Sequence, residues 1–318
     1  MRVSVLGCGR WGTFLAWYLD RSGQQVSLYG RKGSRRMDQL LRTRSNGVTQ
    51  LPSSVELLQN LEEALEADAL VLSVGSQSLR GLLREIAATG CRDLRLVLCM
   101  KGLEAGSGKR LSTVAREELG EETPVAVWLG PGHVQEFTAG IPNCMVIDSE
   151  DEAFQEELIG AFSSRLIRFY YGRDLIGSEI GGASKNVIGL AAGMLDGLGL
   201  SSLKGALMSR GTREIARLIQ ALGGNELSAY GLCHLGDYEA TVFSPYSHNR
   251  RYGEAFVRGE PYEELAEGVA TVQALVKLSR QFQVALPICQ AVYQVLYEQA
   301  DPQETLDRLF TRSLKQEF

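Results

Sequence analysis

The chain has 318 residues, 44% hydrophobic and 22% charged, enough for a sizeable core and for two domains. Its net charge of -5 gives no bulk attraction for nucleic acid, and no basic tract interleaved with aromatics suggests otherwise. No run of about 18 apolar residues occurs, so no membrane span is expected. The opening MRVSVLGCGRWG is too short in apolar residues for a signal peptide, which points to the cytoplasm. Cys8, Cys91, Cys99, Cys144, Cys233 and Cys289 show neither CxxC pairing nor a histidine spacing suited to zinc. Free thiols and no metal site are the expectation.

Arg2–Leu6 is a short strand that runs into Gly7-Cys8-Gly9-Arg10-Trp11-Gly12 and then a helix ending at Gly23. Strand, GxGxxG and helix in that order form a dinucleotide-binding turn. Gly7 permits the tight turn, Gly9 lets a pyrophosphate approach the backbone, and Gly12 lets helix and strand pack. The helix start offers N–H groups and a dipole to phosphate. The next strand, Gln25–Tyr29, should end at the adenine ribose. An acid there would favour NAD. Instead the chain continues Gly30-Arg31-Lys32-Gly33-Ser34-Arg35-Arg36, a basic loop that suits a 2′-phosphate and favours NADPH, with NADH as the alternative. Arg31 is the first candidate and Lys32 the second.

Further strands are expected over 68–74, 94–100, 124–129, 143–147 and 168–171, alternating with helices over 60–67, 78–88, 108–119 and 152–162. That alternation predicts a doubly wound, Rossmann-like α/β domain over residues 1–177. Ligands in such sheets bind at the carboxyl ends of the strands, where Lys101 and Gly130 fall. Lys101 there would meet an anionic substrate.

Beyond residue 177 the strand patterns stop, and an all-α domain is expected over 178–318, with helices over 181–199, 204–223, 262–282, 289–299 and 302–313. Gly181–Gly199 (GGASKNVIGLAAGMLDGLG) places Lys185 and Asn186 near the start of an apolar helix. Its glycines and alanines admit another backbone or a ligand. A lysine whose head reaches water fits the same stretch. Between the helices, Ser244–Arg251 (SPYSHNRR) is a loop with two arginines, whose guanidinium forks suit phosphate.

Taken together the chain resembles the bacterial-type NAD(P)-dependent glycerol-3-phosphate dehydrogenases. The resemblance rests on GxGxWGT at 7–13, KGLE at 101–104, Gly130-Pro131, GGAxKNVIG at 181–189 and AAGMxDG at 191–197. It continues with LGD at 235–237, NRRYG at 249–253, Glu267-Gly268 and LPI at 286–288. It implies reduction of dihydroxyacetone phosphate to sn-glycerol 3-phosphate for phospholipid synthesis, in a cytoplasmic homodimer. By resemblance Lys185 donates the proton to the C2 oxygen and Asp237 holds that lysine. Lys101, Gly130, Asn186 and Thr241 bind the substrate's polar groups; Ser247, His248, Asn249 and Arg250 hold its phosphate. Gly7, Gly9, Arg10, Trp11, Gly12, Arg31, Lys32 and Glu267 line the cofactor. The small residues of 181–199 would leave room for cofactor and ketone. The chain departs from the family pattern at His248, which stands where an arginine is expected, and across Leu129–Glu136. These departures keep two alternatives open: a dehydrogenase of another small hydroxy acid or phosphorylated carbonyl, and a non-catalytic NADPH-binding sensor.

Overall fold

The computed structural model describes residues 1–313 and Gln316. Contacts divide the chain into two units, one of residues 1–101 and 110–179, the other of 102–109 and 180–318.

The first unit is built on one sheet. In chain order its elements are β1 (Arg2–Leu6), α1 (Arg10–Arg21), β2 (Gln25–Tyr29), α2 (Arg35–Thr43), β3 (Glu56–Leu58), α3 (Leu61–Ala64), β4 (Ala69–Leu72), α4 (Leu79–Ala88) and β5 (Leu96–Leu98). Then follow α5 (Leu111–Leu119), β6 (Val125–Leu129), α6 (Val134–Thr138), β7 (Asn143–Ser149), α7 (Glu152–Phe162) and β8 (Ile167–Tyr171). The strands lie in the order β3-β2-β1-β4-β5-β6-β7-β8, so the winding reverses between β1 and β4. Beyond Arg2, the residues of β1, β4 and β5 are all buried and mostly Val and Leu, as expected for strands covered on both faces. β7 runs antiparallel to β6. The connection between them carries only the five-residue α6, and a parallel crossover usually needs a full helix.

In this unit α2, β3 and the short α6 were not expected. The basic segment 30–36 is a loop only as far as Ser34. The Ser34 hydroxyl caps α2 by accepting from the Met37 amide, and Met37 and Leu40 are buried beneath it. β3 is three residues long and pairs only with β2, too short for its alternation to register in the sequence.

The second unit contains helices. α8 (Leu175–Gly197) begins six residues before the predicted start, so Lys185 sits in its interior rather than near its first turn. Burial of Ile180, Ala183 and Val187 overrides the low propensity of Gly181 and Gly182. The later helices are α9 (Lys204–Ala221), α10 (His248–Arg258), α11 (Glu267–Gln281), α12 (Pro287–Tyr297) and α13 (Pro302–Phe310). α10 starts within the predicted SPYSHNRR loop, capped by Ser247, which accepts from the Arg250 amide at 3.3 Å. Among the described residues no helix is long and apolar enough to cross a membrane.

The small residues of α8 serve helix packing. A Cβ at Gly193 would lie 1.8 Å from the Arg250 carbonyl, and one at Gly197 2.2 Å from Val257 Cγ2. From the other side, a Cβ on Gly253 would lie 2.1 Å from the Leu190 carbonyl. The expected room for cofactor and ketone at these positions is therefore occupied by the backbone of α10.

A buried histidine ties the turn Leu235–Asp237 to α8. His234 is fully buried, with Nδ1 2.9 Å from the Gly181 carbonyl and Nε2 2.7 Å from the Tyr238 hydroxyl. A carbonyl only accepts, so Nδ1 carries the proton and Nε2 accepts from Tyr238. Burial, opposed by the Gly181 bond and reinforced by the Lys185 charge, lowers the His234 pKa to about 4. The unfolded chain therefore binds more protons than the folded one between pH 6.5 and 4, and stability falls as pH falls through that window. Thermal unfolding followed across it should show a shallower decline of Tm in His234→Asn than in the parent chain. Equal slopes would contradict a neutral His234.

Candidate active site

In the first unit, the turn after β1 is shaped for close backbone approach. Gly7 has φ +118°, and a Cβ on it would lie 2.2 Å from the Ser73 carbonyl just beyond β4. A Cβ on Gly12 would lie 1.8 Å from the Gly7 carbonyl. These two glycines are needed by the fold itself. Gly9 differs: a Cβ there would find only Arg36 Nη1, at 3.5 Å. No side chain caps the start of α1, where Arg10 is exposed and Trp11 lies half-buried against Phe14 and Phe137. The turn leaves an uncapped helix start beside an open glycine face, which fits a pyrophosphate.

Arg31, Lys32, Arg35 and Arg36 are exposed at the end of β2, and the first acid after them is Asp38, within α2. Arg36 was part of the basic run in the sequence, but its place beside Gly9 depends on the unpredicted α2. At the tip of β5, the Lys101 ammonium donates to the Gly130 carbonyl at 2.6 Å. Gly130, at the tip of β6, has φ +131° and packs on Met145.

In the second unit, α8 and the turns after Leu235 build a compact polar cluster. Lys185 Nζ lies 2.8 Å from Asp237 Oδ2 and donates to Thr241 Oγ1 at 2.7 Å. The lysine side chain is 9% exposed and the aspartate 1%. A buried pair of this kind persists only when each charge is compensated. Thr241 comes from a π-helical turn, Glu239–Phe243. That turn is held by a second buried lysine, since Lys204 Nζ donates to the Val242 carbonyl at 3.1 Å and pairs with Asp196 at 2.6 Å.

One residue along α8, Asn186 begins a chain of fixed amides. The Gly268 N–H donates to Asn249 Oδ1 at 2.9 Å, which identifies the Asn249 oxygen. Asn249 Nδ2 then donates to Asn186 Oδ1 at 3.0 Å. Gly189 makes the approach feasible, because a Cβ there would press on Thr241 Cγ2 at 2.8 Å and Asn249 Cβ at 3.3 Å. Glu267 is the first residue of α11, beside Gly268.

The predicted phosphate residues separate into two groups. His248 Nδ1 lies 2.7 Å from the Tyr262 hydroxyl, and Arg251 stacks over the Tyr262 ring. Arg250 turns the other way, with Nη1 2.8 Å from Asp196 and 2.9 Å from Glu254. Burial pushes the Asp196 carboxyl up, but hydrogen bonds from Lys204, Ser201 and Arg250 outweigh it and hold the pKa below the usual value. Arg250 thus ties α10 to α8. The sequence reading missed Lys204, Asp196, Tyr238 and Tyr262; each is one polar residue in a helix or loop, without a local pattern to mark it.

Comparison with known proteins agrees with this architecture. The family model described as NAD-dependent glycerol-3-phosphate dehydrogenase N-terminus matches residues 2–155, and that for the C-terminus matches 174–307. The chain is 39% identical to a glycerol-3-phosphate dehydrogenase [NAD(P)+] of Desulfitobacterium hafniense, covering 100% of this chain and 93% of that one. It is 36% identical to the protein of that name from Clostridium botulinum, covering 100% and 99%. The solved glycerol-3-phosphate dehydrogenase of Coxiella burnetii superposes with a TM-score of 0.90 at 29% identity, covering 98% of this chain and 99% of that one. With both halves matched and relatives this similar along its whole length, the chain belongs to the NAD-dependent glycerol-3-phosphate dehydrogenase family.

Proposed function

We infer that this protein catalyses the reversible, NAD(P)H-dependent reduction of dihydroxyacetone phosphate to sn-glycerol 3-phosphate, which supplies glycerophospholipid synthesis. The observation that carries the reading is the nearly dry Lys185 ammonium held between Asp237 and Thr241. Bound NAD(P)H supplies the hydride. Gly7, Gly9, Gly12 and the start of α1, with Arg10 and Trp11, would hold it, and Glu267 joins that set by resemblance.

Lys185 gives its proton to the C2 oxygen as negative charge develops there, and takes it back in the reverse direction. Asp237 keeps the ammonium aimed and charged until transfer. Thr241 fixes the third direction around Nζ. Asn186 and Asn249, locked by their mutual bond, present amide groups to the substrate's oxygens; Lys101 and Gly130 serve its polar end. His248 and Ser247 bind the phosphate. Arg250 contributes by bracing α10 through Asp196, not by touching phosphate.

Lys185→Ala should lower kcat by about 10²–10⁴-fold, the usual worth of a positioned general acid, while leaving NADPH binding intact. Stopped-flow or steady-state loss of NADPH absorbance measures the first, and fluorescence titration of NADPH the second. Undiminished turnover would remove the lysine from the chemistry.

We further propose that NADPH is preferred over NADH because the end of β2 carries Arg31, Lys32 and Arg36. Combined Arg31→Ser and Arg36→Ser should raise KM for NADPH about tenfold, the equivalent of one charge-assisted contact, and leave KM for NADH near its starting value. A parallel rise for both cofactors would contradict the assignment.

A further inference from the structure

Away from Lys185, the second unit contains a groove of about 610 Å³, within the ~300–1,000 Å³ typical of small-molecule sites. α8 and α12 line it with Met194, Ile288 and Val292, Leu198 follows the end of α8, and α13 adds Leu306 and Leu309. α9 lines it with Arg210, Arg213 and Arg217, spaced to share one face of the helix. Arg312, beyond α13, is a fourth arginine in the lining. Arg210 and Arg312 are exposed, while Arg213 and Arg217 are half-buried.

Among the described residues that line the groove the balance of charge is positive, whereas the whole chain has a net charge of -5. Glu214 is the one acid among the described residues that line it. Its oxygens accept from the Ile288 and Cys289 amides at 2.9 and 3.0 Å, at the start of α12. Among the described residues the one acid within 4.0 Å of Arg213 is Glu226, at 3.9 Å. Arg217 donates to the Ala285 carbonyl at 2.9 Å. Burial lowers its pKa; Glu214 opposes this, and Arg213, Arg312 and Arg210 lower it further. Four arginines lining one apolar trough form a site complementary to an anion that carries a hydrocarbon chain.

We propose that the groove between α9 and α13 binds a single-chain amphiphile with an anionic head, its chain against Met194, Leu198 and Leu306 and its head among Arg210, Arg213 and Arg217. The monoacyl ester of glycerol 3-phosphate has both features, and naming it rests on the activity inferred above; a fatty acid shares the chemistry from a second source. The groove shares α8 with Lys185, so an occupant would press on the helix that carries the proton-transfer group.

Calorimetric titration of the full chain with 1-myristoyl-glycerol 3-phosphate, below its micelle concentration, tests the site without reference to turnover. Saturable binding is expected. It should weaken at least about tenfold in Arg210→Ser/Arg213→Ser, and similarly when monomyristoylglycerol replaces the phosphate ester. It should be lost in Ala291→Trp, which fills the groove, while NADPH oxidation with dihydroxyacetone phosphate is retained. Equal binding of myristate supports the site with a fatty acid as the source; preference for the ester supports it with the glycerol phosphate. The proposal is overturned if no saturable binding occurs, if the neutral lipid binds equally, or if Ala291→Trp leaves binding unchanged. Sedimentation showing that Ala291→Trp dissociates a dimer, with no lipid bound by the parent chain, would assign the groove to a second copy instead. Failure of the lipid arms leaves the dehydrogenase reading standing, and inactive parent protein that still binds lipid would separate the two in the other direction.

Discussion

An ammonium group almost removed from water must be balanced by something close, and in this chain that partner is Asp237. Losing one member of a buried pair typically costs about 3–5 kcal/mol, a large fraction of a domain's net stability. The surrounding structure keeps Lys185 and Asp237 in register. His234 joins the Asp237 turn to the Gly181 carbonyl, four residues before Lys185 on the same helix. Thr241 and the π-helical turn close the opposite side, steadied by Lys204. A pair held this firmly aims the ammonium group, as the proton-donor role inferred for Lys185 requires.

The same logic extends to the helices around the pair. Backbone contact between α8 and α10 is feasible only because Gly193, Gly197 and Gly253 present no Cβ. That contact brings Asn249 within hydrogen-bond distance of Asn186 and places Asp196 between Lys204 and Arg250. Glycine in a helix interior sacrifices propensity of roughly 1 kcal/mol per residue. Here the loss is offset by close packing and by the charge network of Lys204, Asp196, Arg250 and Glu254. The result is a rigid platform on which Lys185, Asn186, Thr241 and Asn249 all face one polar cluster.

Much of this was legible from the sequence, and the misses have physical causes. The alternation of β-branched runs with amphipathic segments was sufficient for the sheet, because parallel strands buried on both faces read as continuous apolar runs. The GxGxxG turn was legible because it follows a strand and opens a helix. α2 was hidden because its first turn is basic and its buried side consists of little more than Met37 and Leu40. The start of α8 was hidden by glycines whose low propensity is overruled by burial. Lys185 was marked by its apolar surroundings and Asp237 by resemblance. Nothing local marked the tie from His234 to α8, since its bond to Gly181 spans 53 residues. The ion pair of Arg250 with Asp196 was hidden because the two residues lie 54 apart in the chain.

In the mechanism inferred above, Asp237 acts in catalysis through Lys185 and not by itself. A double-mutant cycle on kcat with Asp237→Asn, Lys185→Ala and the combination measures that dependence directly. That mechanism predicts that Asp237→Asn slows the parent enzyme by about a hundredfold or more but costs less than about twofold once Lys185 has been removed, as for residues that act as a unit. Losses that simply multiply in the double variant would show two independent groups and contradict the central claim.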